Sequence, residues 1–130
     1  MSVETVIYDQ LAADGTVSGL VGARIYPVIL PQRVSYPAIS YSLVSRQPVE
    51  AMGSDATLAL SRLQVNAWGD TYKEAKDLAF AIRDALKRTR SAVTGVQDIL
   101  MPTMLDTIDP ETRIYRVMLD FMVAYDGANA

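Results

Sequence analysis

The sequence contains no cysteine and no histidine. Without thiols there are no disulfides, no thiolate metal sites and no cysteine nucleophiles. Without imidazole, most zinc sites and most nucleophile–base pairs are gone, leaving carboxylates, lysine, tyrosine and hydroxyls as the only groups able to do chemistry. The expectation is a protein that is not an enzyme and takes no cofactor and no metal. Long apolar runs are also missing: none approaches the roughly 18 residues a membrane span needs, and no basic head followed by an apolar core marks a signal peptide. The chain is therefore expected to be a soluble intracellular product with no membrane partner. Positive charge is scarce, with 12 Lys and Arg against 15 Asp and Glu and a formal net charge of −3, which argues against holding nucleic acid by counterion release. Glycine-rich phosphate loops are absent too. Neither residues 15–19 nor Gly53-Ser54-Asp55 lie between a strand and a helix as such a loop requires.

What the chain has in quantity is apolar surface. Hydrophobic residues make up 50% of its 130 positions, enough for one domain with a sizeable core and more than that core hides. Self-association follows as an expectation.

The organising stretch is residues 57–86. Leu63, Val65 and Ala67 alternate with Arg62, Gln64 and Asn66, the period of a strand with one face buried. Gly69 and Asp70 break it. Thr71 and Glu74 then form a Thr-x-x-Glu capping box. From Tyr72, residues Ala75, Leu78, Ala79, Ile82, Ala85 and Leu86 recur at helical spacing, with Lys73, Lys76, Asp77, Arg83, Asp84 and Lys87 on the other side.

Before this stretch, Ser2 caps a helix with Val3, Val6, Ile7 and Leu11 on its apolar stripe, predicted to stop at Asp14-Gly15. A short helix over 16–22 is capped by the Thr16 hydroxyl and ended by Gly22. Residues 24–32, with Pro27 and Pro31, read as an extended sheet edge. Residues 37–46 alternate through Ile39, Tyr41 and Leu43 and pair with the organising strand. Residues 47–56 have the composition of a long mobile hairpin loop. After the helix, residues 96–106 read as a weaker strand interrupted by Pro102, and 109–112 as a turn. Residues 113–125 form a last strand with Tyr115, Val117, Leu119, Phe121, Val123 and Tyr125 on one face. Its other face is half apolar, through Ile114, Met118, Met122 and Ala124, so either a helix of the same chain or a neighbouring subunit is expected to cover it. The tail, 126–130, is expected to fray.

The fold class is α+β: a mainly antiparallel four- to five-stranded sheet with two main helices on one face, in the order helix, short helix, strand, strand, strand, helix, strand, strand. One domain spans residues 1–130.

Candidate chemistry is thin. Asp106, Asp109 and Glu111 are the densest carboxylate group, but their spacing fits no EF-hand loop, and a solvated turn explains them. Asp120, among apolar neighbours, is either a buried acid or, as we expect, the partner of Arg116 or Arg113. The Lys87-Arg88-Thr89-Arg90 run suits a helix C-terminus better than a phosphate site. Trp68 either fills a gap under the central helix or anchors an interface. Phe80 falls about 150° from the middle of the helix stripe at roughly 100° per residue, which puts an aromatic ring on a charged face and suggests a partner surface.

The ordered series Leu20-Val21, Arg24-Ile25-Tyr26-Pro27, Leu30-Pro31-Gln32, Pro37 to Tyr41, Leu63 to Trp68, Tyr72-Lys73-Glu74-Ala75, Leu78 to Leu86 and Arg116 to Phe121 resembles the tail-completion, or tail-terminator, proteins of long-tailed bacteriophages and gene transfer agents. The resemblance covers roughly residues 3–125. It implies a structural virion protein, assembled in the host cytoplasm, that forms a hexameric ring at the head-proximal end of the tail. The ring would cap the tail tube protein, end its polymerisation, meet a head-side connector protein and let DNA pass without specific binding. On that reading Trp68, Phe80, Met118 and Met122 are candidate subunit contacts. Gln47, Val49, Glu50, Met52, Ser54 and Asp55 are candidates for a tube-facing or lumen loop. The alternatives are another connector component, such as a stopper or adaptor, a tube subunit, or, from a different class, a small carboxylate-based enzyme or metal-binding domain around Asp106, Asp109, Glu111 and Asp120.

Overall fold

The computed structural model describes residues 2–49, 58–87 and 95–126, with the side chains of Met101 and Pro102 left aside. The elements run α1 (Val3–Ala13), α2 (Gly15–Val21), β1 (Ile25–Pro27), β2 (Ala38–Pro48), β3 (Leu58–Gly69), α3 (Tyr72–Lys87), β4 (Val96–Ile108) and β5 (Tyr115–Asp126). The loop expectation at Glu50, Met52, Ser54 and Asp55 falls outside the described residues, and so does the fraying expected at 126–130 except at Asp126, which is instead the last residue of β5, paired with Leu58.

The strands form one sheet in the order β1-β2-β3-β5-β4. It is mixed rather than purely antiparallel: β1 runs parallel to β2, with Ile25 opposite Ile39, while the other neighbours are antiparallel. The parallel pairing follows from the connection, since the ten residues from Val28 to Pro37 carry the chain back to the start of the sheet before β2 begins. Prolines at 31 and 37 help to keep that connection out of the ladder.

One face of the sheet is covered by helices. Ala59, Leu63, Val65 and Ala67 of β3 and Val117, Leu119, Phe121 and Val123 of β5 are buried there with Leu78, Ile82 and Leu86 of α3 and Val3, Val6, Ile7 and Leu11 of α1. Each large side chain removed from water in this way contributes on the order of 1.5–3 kcal/mol.

Local chemistry sets the helix ends. The Thr71 hydroxyl accepts from the Glu74 N–H at 3.1 Å, and the Glu74 carboxylate reaches back to the Asp70 N–H at 3.1 Å. The box is thus closed one residue earlier than a standard one, with Asp70 in place of Thr71. At the first helix the expected glycine stop is corrected. Asp14 ends α1 and also caps α2, its carboxylate accepting from the Thr16 and Val17 N–H groups at 3.0 and 3.1 Å. Gly15 is the first residue of α2 and the Thr16 hydroxyl is not its cap; a carboxylate beside two free N–H groups outcompetes a hydroxyl within the helix. Gly22 does end α2, at φ 61.

β4 continues past Pro102 to Ile108, and Pro102 interrupts its pairing as expected. The register against β5 shifts between Leu100 and Thr103, so Met101 and Pro102 are passed over in a bulge.

Candidate assembly surfaces

The sheet face away from the helices is set by the even positions of β3 and β5. On β3 these are Leu60, Arg62, Gln64, Asn66 and Trp68. Across from them on β5 stand Ala124, Met122, Asp120, Met118 and Arg116. β4 adds Asp98, Leu100, Thr103, Leu105 and Thr107 in register with those β5 residues. At the Trp68 end of this face Ser40 and Asn66 are buried, and residues 28–31, 36 and 109–114 flank them, whereas over the rest no described segment forms a second layer: Leu60, Leu100 and Leu105 are exposed there and Met118 and Met122 are half-buried.

Three of the four predicted subunit contacts, Trp68, Met118 and Met122, lie together on this face. Trp68 is turned away from the helices, so of its two readings the one that placed it under α3 is set aside. Its indole N–H donates to the Ser40 hydroxyl at 2.9 Å, the Asn66 amide donates to the same oxygen at 3.2 Å, and the Arg116 guanidinium stacks on the ring at 5.2 Å. Met122 sits between Arg62 and Leu100, and Met118 between Asn66 and Leu105. Phe80 is not with them. It is on the solvent side of α3, 41% exposed, with the Arg83 guanidinium 4.9 Å and the Lys76 ammonium 5.8 Å from its ring. Of the loop candidates, Gln47 closes the β2 end of the sheet opposite Leu60, and the Val49 N–H donates to the Leu58 carbonyl at 2.8 Å.

The carboxylates separate into three unrelated roles. Asp120 pairs with Arg62 at 2.9 Å, not with Arg113 or Arg116; Arg116 is occupied by Trp68 and Thr107 instead. Asp106 takes the Lys76 ammonium at 2.8 Å and the Tyr72 hydroxyl at 2.7 Å. These hydrogen bonds, that from Lys76 first and that from Tyr72 second, hold its carboxyl below the ordinary range. Asp109 folds onto its own turn, accepting from the Glu111 and Thr112 N–H groups. Among the described residues no three acidic side chains converge as a metal site would need, and no helix is long and apolar enough to cross a membrane.

Trp68, Arg116, Thr107, Ile108, Asp109, Pro110 and Glu111 line an open cleft of about 420 Å³ at one end of the face. It holds no nucleophile–base pair, and its guanidinium is spent on the tryptophan ring. The outer face as a whole presents exposed apolar side chains beside these polar contacts.

Comparison with known proteins gives the family. A family model described as tail completion protein gp17 matches residues 5–126. The chain belongs to the tail completion protein gp17 family. It is therefore a structural tail protein. A chain in a solved structure titled as the virion of a native gene transfer agent particle has the same fold. It is 21% identical, with a TM-score of 0.75 over 97% of this chain and 96% of that one. A crystal structure from Akkermansia muciniphila is similar only at a TM-score of 0.33 and 5% identity over 68% of this chain and 43% of that one, too little to carry an argument. No curated protein matches the sequence.

The exposed apolar side chains that sequence reading missed are Leu60, Leu100 and Leu105 on the outer face and Val28 and Ile29 after β1. Leu60 follows the even positions of β3 and was legible. Leu100 and Leu105 were not, because the bulge at 101–102 puts an even and an odd residue on the same face.

Proposed function

We propose that this tail completion protein assembles into a closed ring, expected to be a hexamer, at the head-proximal end of the tail tube. There it ends polymerisation of the tube protein and joins the tail to the head connector. It works by binding alone, without catalysis. Location in the virion, assembly in the host cytoplasm and passage of DNA through the ring belong to the same proposal. The observation that carries it is the largely bare outer face of the sheet, where Leu60, Leu100, Leu105, Met118 and Met122 lie on five-stranded scaffolding with no second layer among the described residues. Membership of the tail completion family supports reading it as a face met by other tail components. Apolar surface on a rigid sheet is what an obligate neighbour buries. A heterologous contact repeated around an axis closes into a ring. The net negative charge repels the passing duplex and keeps the conduit free of trapped DNA.

The test is a tube growth assay. Tail tube subunits are polymerised with and without the purified protein, and lengths are measured by negative-stain microscopy. The proposal predicts that tubes stop growing and carry one extra ring at one end. Tubes that lengthen unchecked, or long filaments formed by the pure protein as a tube subunit would form them, contradict it.

A further inference from the structure

We draw no further inference here: the strongest candidate, the groove that runs on either side of Trp68 between residues 28–31 and the turn at 109–114, carries charge of both signs in Arg116, Asp109 and Glu111, and nothing in the structure shows what covers it.

Discussion

At the scale of single residues, the outer face is organised by one hydroxyl. Ser40 is buried and accepts from both Trp68 and Asn66, so Ser40→Ala leaves two donors without their acceptor. The expected loss is about 1–3 kcal/mol of stability, read by urea unfolding, with a shift in Trp68 emission; an unchanged midpoint and spectrum would refute the role. Asp106 gives a pH prediction. Its carboxyl is more acidic folded than unfolded, through the hydrogen bonds from Lys76 and Tyr72. Its contribution is therefore complete above the unfolded value and is lost as pH falls through the folded one, below about pH 4. The pair is substantially exposed, so at neutral pH Asp106→Asn should cost no more than about 1 kcal/mol. The variant should also lose stability less steeply than wild type in acid unfolding followed by circular dichroism; an identical acid limb would count against the assignment.

At the scale of elements, the passage from β3 to α3 leaves no room beside its glycine. A Cβ on Gly69 would lie 2.7 Å from the Ala75 backbone nitrogen and 3.2 Å from its Cα. Gly69→Ala must push the first turn of α3 off the sheet, an overpacking expected to cost about 1–3 kcal/mol in urea or thermal unfolding. Full retention of stability would show that the helix can shift freely. This region was also the most legible in the sequence. The alternation through Leu63, Val65 and Ala67, the glycine break and the Thr71–Glu74 box are local signals, and local signals survive without knowledge of the fold. What was not legible is non-local. Nothing near Ile25 says that β1 lies parallel to β2. Nothing near Asp120 says that its partner is Arg62, 58 positions away, because cross-strand neighbours are fixed only once β3 and β5 pair. Asp14 deceived for another reason: a glycine after a helix reads as a stop, and here the carboxylate before it starts a new helix. On the candidate surface the half-apolar even face of β5 announced Met118 and Met122, whereas the exposed edge of β4 was hidden by its bulge.

At the scale of the whole molecule, the sheet is covered by helices on one side and, among the described residues, largely uncovered on the other. On the proposed reading that second side is met by other components of the tail. The central claim is that copies of this chain form one ring at one level of the particle. The most direct measurement is electron microscopy of complete particles carrying a gold-labelled tag on this chain. The account predicts label at a single level, the head-proximal end of the tail tube, with the tube intact below it. Label distributed along the tube, or on the head in particles whose tubes end without it, would contradict the account.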